Sequence, residues 1–108
     1  MSLTSDIIRG HTETIILAQL LDGDSYGYNI SKAIKSKSEG AYEPKEATLY
    51  TAFRRLEQNG LIRSYWGDED TGARRRYYSV TEEGRRLFDE NKNEWLRVRS
   101  IIDKLIEK

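Results

Sequence analysis

The stretch KEATLYTAFRRLEQNG, residues 45–60, carries the clearest helical pattern in the sequence. Leu49, Phe53 and Leu56 recur at steps of four and three residues, which places them on one face of a helix. Gly60 follows the last periodic position and is typical of a helix stop. The opposite face carries short polar and cationic side chains in place of the Glu and Lys pairs of a plain solvated helix. We therefore predict a helix with one buried face and one face able to contact a ligand.

Two further helices are predicted on the N-terminal side of this stretch. The first covers residues 4–23, with Thr4 or Ser5 as its N-cap. Its apolar positions spread around most of the circumference, so we expect it to be buried on two sides. The second is short and amphipathic and has Asp24 or Ser25 as its N-cap.

A β-hairpin is predicted on the C-terminal side. The segments LIRSYWGDED and ARRRYYSV are rich in β-branched and aromatic residues, and a polar turn across Asp70, Thr71 and Gly72 joins them. Because side chains alternate along a strand, Arg75 is expected to face away from Arg76.

The last segment is predicted to form a long helix that Thr81 caps. It covers about 26 residues, or roughly 39 Å at 1.5 Å per residue. Its apolar positions recur at steps of three and four and form a heptad seam, which we call the apolar seam. The members of the apolar seam are Phe88, Asn91, Trp95, Val98, Ile102 and Leu105. A seam of this length is too long for one small domain to cover, so we predict a homodimer.

The predicted fold is mainly α with a small β-hairpin, in the order of a winged helix-turn-helix followed by a long C-terminal dimerisation helix. Residues 1–80 form the winged helix-turn-helix domain, in which the third helix enters the DNA major groove and the hairpin is the wing. Residues 81–108 form the dimerisation helix, which is expected to pack against the first helix of the partner subunit.

Composition excludes several classes of protein. The chain has 108 residues, no cysteine and one histidine, so disulfides, thiolate metal sites and thiol catalysis are absent. It has neither a nucleophile–base motif nor a glycine-rich phosphate loop, and we predict no enzyme activity, no metal site and no cofactor. Because it shows neither an apolar run long enough to span a membrane nor a signal peptide, we expect a soluble cytoplasmic protein without a membrane partner.

Overall charge is balanced, with 18 basic and 18 acidic residues, which by itself argues against a nucleic-acid partner. The charge is unevenly distributed, however. Residues 25–80 carry ten basic and seven acidic side chains, whereas residues 1–24 carry one basic and four acidic. The excess positive charge therefore falls on the predicted DNA-binding segment.

The segments ATLYTAFRRLEQNGLI and GARRRYYSVTEEG, together with YGYNISKAI, resemble the PadR family of bacterial winged-helix transcriptional regulators. The single C-terminal helix with its tryptophan resembles that of the compact, multidrug-sensing subfamily of repressors. Many family members have Gly and Thr before the Leu-Tyr pair and Pro after it, whereas this chain has Ala47, Thr48 and then Thr51. This departure keeps the third helix continuous and affects base preference more than fold.

The resemblance implies DNA contacts from the third helix and from the wing. The implied residues are Lys45, Thr48, Tyr50, Thr51, Arg54, Arg74, Arg75 and Arg76. Hydroxyls and cations of this kind contact phosphates and base edges. Two alternatives remain open: Tyr50 packs between the first and third helices, or the arginines are simply paired with Asp68, Glu69 and Asp70.

The resemblance also implies a ligand site at the dimer centre, where Trp95 stacks on flat aromatic compounds. The residues implied around it are Ile7, His11, Thr14, Ala18, Val98 and Arg99. Arg99 stands where the related drug binder has an acid, so an anionic or neutral aromatic effector, or none, is expected. The alternative is that Trp95 is simply part of the dimer core.

Together with these patterns, the resemblance implies a homodimeric repressor that binds a pseudo-palindromic operator, with its two recognition helices roughly 34 Å apart. Either an aromatic effector at the dimer interface regulates it, as the resemblance implies, or it has no effector. The alternatives are a winged-helix protein-interaction module that never contacts DNA and a ligand carrier built around Trp95.

Overall fold

The computed structural model describes residues 3–67 and 74–108, which form five helices and three strands. The elements in chain order are α1 (Leu3–Arg9), α2 (Thr12–Leu21), β1 (Ser25–Tyr26), α3 (Gly27–Lys37), α4 (Glu46–Gln58), β2 (Ile62–Gly67), β3 (Arg75–Val80) and α5 (Glu82–Ile106). The predicted class, mainly helical with a small antiparallel sheet and a long C-terminal helix, is confirmed. None of the helices in this described part is both long and apolar enough to span a lipid bilayer.

The predicted first helix is two helices, α1 and α2, separated at Gly10 and His11. The prediction of one continuous helix was wrong because glycine is a poor helix residue and the turn after it is stabilised locally. The His11 N–H donates to the Ile8 carbonyl over 2.8 Å, and the Thr12 hydroxyl donates to the Arg9 carbonyl over 2.6 Å. The break lets α2 bury its own side chains in the core while α1 stays at the surface.

The sheet has three strands in the order β1-β3-β2, in place of the two of the predicted hairpin. β1 pairs with β3 in antiparallel register, Ser25 opposite Tyr78 and Tyr26 opposite Tyr77. Tyr26, with an extended backbone, occupies the N-cap position of α3, so the prediction of Asp24 or Ser25 as the cap was wrong. Ser25 and Tyr26 pair with β3 because the N–H and C=O groups of an extended backbone need hydrogen-bonding partners, which a neighbouring strand supplies.

The hydrophobic core lies between α2, α3, α4 and the sheet. The predicted inner face of α4 is confirmed, since Leu49, Phe53 and Leu56 are buried. The Phe53 ring stacks on the buried Tyr78 ring at 4.2 Å between centroids, which fixes α4 against β3. Gly60 has a φ of +72°, the left-handed conformation expected of the residue that ends a helix.

α5 begins at the base of the wing and runs past the core. The Gly84 N–H donates to the Thr81 hydroxyl over 3.0 Å, which confirms Thr81 as the N-cap. The first turns of α5 pack on the core through the half-buried Leu87 and Phe88. Farther along, exposure rises from 37% at Trp95 to 74% at Leu105, so much of the apolar seam faces outward on the single chain.

Candidate functional site

The outward surface of α4 has two flanks, which the sequence pattern did not separate. Lys45, Thr51 and Arg54 are exposed, and Thr48 is half-buried. Thr48 and Thr51 line a cleft of about 470 Å³ between α4 and the α1–α2 break, in which Arg55 lies 3.5 Å from the Glu13 carboxylate. The flank that carries Tyr50 faces α3 and the wing instead.

Tyr50, on α4, lies beside the first residue of α3. It does not lie between α4 and the predicted first helix, which is α1 and α2 in the structure, as one of the alternatives proposed. Its ring carbon Cζ is 3.0 Å from where a Cβ on Gly27 would sit, so the absence of a side chain at Gly27 makes room for it. The ring also meets Phe53 edge-on at 5.4 Å. Tyr50 remains 42% exposed, and its ring can pack while its hydroxyl reaches a ligand.

The three wing arginines have different surroundings. The Arg76 guanidinium donates to Ser64 Oγ over 2.7 Å and lies 3.5 Å from the Glu57 carboxylate at the end of α4. The Arg75 guanidinium lies over the Tyr26 ring, 4.6 Å from its centroid. Arg74 lies over the Trp66 ring at 5.4 Å. The acids predicted to restrain the arginines, Asp68, Glu69 and Asp70, are outside the described residues.

A row of three tyrosine rings, from Tyr26, Tyr77 and Tyr65, supports one face of the sheet. Cross-strand pairing places all three on the same face, because directly opposite residues share a face. Tyr77 meets Tyr26 edge-on at 5.4 Å and stacks on Tyr65 at 5.7 Å. The Tyr65 hydroxyl donates to the Asp24 carboxylate over 2.6 Å, and this hydrogen bond raises the pKa of Tyr65.

Sequence reasoning missed this row, although alternation along two paired strands would have placed Tyr65 and Tyr77 together. Tyr26 had no such signal, since it was assigned to a helix.

A second cleft, the Trp95 cleft, lies between α1, α2 and α5 and measures about 360 Å³. The His11 and Trp95 rings meet in it edge-on, with centroids 4.8 Å apart. Of the predicted ligand residues, the structure brings together Ile7, His11, Thr14 and Trp95, whereas Ala18, Val98 and Arg99 lie outside the cleft on the single chain. Lining residues that the prediction missed are Ile8, Ile15, Phe88 and Lys92.

Lys92 adds a cationic side chain to a cleft whose lining is mostly apolar. Its ammonium lies 6.0 Å from the centroid of the Phe88 ring. The helical spacing was a usable signal, because Lys92 lies three residues before Trp95 and shares its face of α5. The polar member of the apolar seam, Asn91, donates to the Thr14 hydroxyl of α2 over 3.0 Å. Asn91 thus joins α5 to α2 within the same chain.

Comparison with known proteins places these features in a family. The model of the transcriptional regulator PadR-like family matches residues 16–90, from α2 into α5. The solved structure of a transcriptional regulator from Clostridium thermocellum is 47% identical, with a TM-score of 0.89 and coverage of 98% of this chain and 100% of that one. A PadR family transcription regulator from Clostridium difficile is 32% identical, with a TM-score of 0.76 and coverage of 89% and 98%. An uncharacterised protein from Lysinibacillus sphaericus is 45% identical, with coverage of 95% of this chain and 94% of that protein.

Proposed function

The chain belongs to the PadR-like family of transcriptional regulators, and we propose that it is a homodimeric repressor that binds pseudo-palindromic operator DNA. The observation that carries the proposal is the cleft shared by α4, the start of α3 and the wing. Tyr50 lines it from α4, and Arg74, Arg75 and Arg76 line it from the wing. One DNA strand can therefore contact the recognition helix and the wing together.

In this proposal α4 enters the major groove. Side chains on its outward surface and at its N-cap supply hydroxyls and cations of the kind that contact base edges and phosphates. They are Lys45, Thr48, Tyr50, Thr51 and Arg54. On the wing, Arg74 and Arg75 contact phosphates, and Arg76 braces the hairpin because its guanidinium already binds Ser64 and Glu57.

The homodimer is proposed from the apolar side chains of α5 and α1 that face outward on the single chain. Trp95, Ile102 and Leu105 expose 37%, 45% and 74% of their surface, and Leu3 and Ile7 of α1 are exposed as well. Exposed apolar side chains in this number are typical of interaction sites. In the proposed dimer, two α5 helices pair, and each packs against α1 of the other subunit, which buries these apolar side chains. The same arrangement sets the two α4 helices roughly one DNA turn apart.

An aromatic effector is proposed for the Trp95 cleft, as in a multidrug-sensing repressor. The Trp95 and His11 rings offer a platform for a flat molecule, and Lys92 favours an anionic or neutral one over a cation. Such a ligand regulates DNA binding only if it binds one dimer arrangement better than another. The protein would act in the cytoplasm, where the operator lies.

Selection of bound sequences from a pool of random duplex DNA tests the proposal. We expect recovery of two inverted half-sites at helical spacing and affinity that falls steeply with salt. The matched control is the Arg74→Ala, Arg75→Ala double variant, which should flatten the salt dependence. If the wild-type protein enriches no sequence and binds no duplex even at low salt, DNA binding is refuted, and the balanced net charge then favours a protein-interaction module.

A further inference from the structure

The cleft between α4, the start of α3 and the wing, which we call the α4–wing cleft, measures about 300 Å³. Arg74, Arg75 and Arg76 line it from the wing, although the Arg76 guanidinium is bound to Ser64 and Glu57, and none of the described residues that line it is acidic. Three tyrosines, Tyr26, Tyr28 and Tyr50, also line it. Tyr28, on the first turn of α3, is 72% exposed, and Tyr50 faces it from α4. The cleft thus combines positive charge with hydroxyl groups that are open to solvent.

Tyr26 fixes the position of one of these charges. The Arg75 guanidinium lies 4.6 Å from the centroid of the Tyr26 ring, a cation–π contact. The Tyr26 backbone is paired with Tyr77 of β3, and its ring meets the Tyr77 ring edge-on. Stacking of Tyr77 on Tyr65 extends the support to β2. Arg75 therefore lies on a ring that the sheet itself holds.

We infer that the α4–wing cleft binds one backbone phosphate of DNA, with Tyr26 as a positioning residue for Arg75 and Tyr28 as a further phosphate contact. The inference rests on the proposed function and adds two residues that the sequence did not identify. A phosphodiester is a singly charged anion with several acceptor oxygens, which suits a guanidinium fork beside hydroxyl donors. Holding Arg75 on Tyr26 before binding reduces the side-chain entropy lost when the phosphate arrives.

A double-mutant cycle on Tyr26 and Arg75 tests the positioning role. The full chain is titrated into a fluorescently labelled duplex of random sequence at several salt concentrations, because a phosphate contact is independent of sequence. Tyr26→Leu should weaken binding roughly two- to fivefold in the wild-type background. It should have no further effect in the Arg75→Ala background. Arg75→Ala should lower the salt slope by about 0.9, the value for one phosphate contact.

The conservative variant Tyr26→Phe keeps the ring and should bind as the wild type does. Thermal melting of the variants shows that each is folded at the temperature of the titration. Equal losses from Tyr26→Leu in both backgrounds would show that Tyr26 acts independently of Arg75 and would overturn the positioning role. The positioning role would also be overturned if Tyr26→Leu binds DNA as the wild type does while Arg75→Ala binds more weakly.

A pair of hydroxyl deletions tests the role of Tyr28. Tyr28→Phe and Tyr65→Phe each remove one tyrosine hydroxyl. Tyr28 lines the cleft, whereas the Tyr65 hydroxyl donates a hydrogen bond to the Asp24 carboxylate. We expect Tyr28→Phe to weaken binding roughly tenfold, as loss of a hydrogen bond to a charged group does, and Tyr65→Phe to leave it unchanged. Equal affinities for the two variants exclude Tyr28 as a contact. A wild-type protein that binds no duplex overturns the proposed function together with this inference.

Discussion

Replacement of Ile102 by aspartate tests the pairing of α5 between two subunits. Ile102 is 45% exposed on the single chain, so a dimer has about half of this side chain left to bury. Full burial of an isoleucine stabilises by about 1.5–3 kcal/mol, which makes the remaining share about 1 kcal/mol per subunit. The two symmetric positions together contribute about 2 kcal/mol, or roughly 30-fold in the dissociation constant. A carboxylate buried at this position also loses hydration, at a cost of several kcal/mol per ion. The substitution should therefore raise the dissociation constant of the dimer far more than roughly 30-fold.

Sedimentation equilibrium across a range of protein concentrations measures the effect. We expect Ile102→Asp to be monomeric at concentrations where the wild type is dimeric. Ser100→Asp is the matched control, because it adds the same charge two residues away, about 200° around the helix and outside the apolar seam. The reasoning fails if Ile102→Asp retains the wild-type dissociation constant, or if Ser100→Asp dissociates equally.

Three further predictions concern stability and can be read from equilibrium unfolding in urea. Thr81→Ala removes the hydroxyl that caps α5 and should lower the free energy of unfolding by about 1 kcal/mol, while Thr81→Ser should restore it. Gly84→Ala should cost about 1–3 kcal/mol, since its Cβ would overlap the Leu61 carbonyl and lie 2.8 Å from Val80 Cγ2; an unchanged urea midpoint would contradict this packing. Burial raises the pKa of Tyr78 above its usual value of 10.0, so the folded state holds this proton more tightly than the unfolded state. The resulting stability is complete below the unfolded-state pKa and is lost as pH rises through the folded-state pKa, and Tyr78→Phe should reduce this alkaline loss.

The candidate site was only partly predictable from sequence. The polar face of α4 and the run of wing arginines could be identified because periodicity and residue type show which side chains are available. The partners of those side chains could not. Arg76 pairs with Glu57, and Arg75 lies on Tyr26, across separations of 19 and 49 residues in the chain. Sequence spacing gives no distance for such pairs, because they meet only when the sheet and α4 are packed.

The Trp95 cleft shows the same limit. The helical period grouped Trp95 with the apolar seam, and the resemblance associated it with His11 and Thr14. The structure brings these three residues together but leaves Val98 and Arg99 outside the cleft on one chain. It also adds Lys92, which changes the charge that a ligand would meet.

By itself the sequence determined that α4, the β2 and β3 strands and α5 follow one another, the buried face of α4, the stop at Gly60 and the cap at Thr81. These features depend on residues within a few positions of one another, so local hydrogen bonding and periodicity specify them. Tertiary structure decided that Ser25 and Tyr26 form a strand, because two residues have no strand pattern until β3 supplies their hydrogen-bonding partners. It likewise decided which cations lie against acids and which lie against aromatic rings, since non-local contacts form only when the elements pack together.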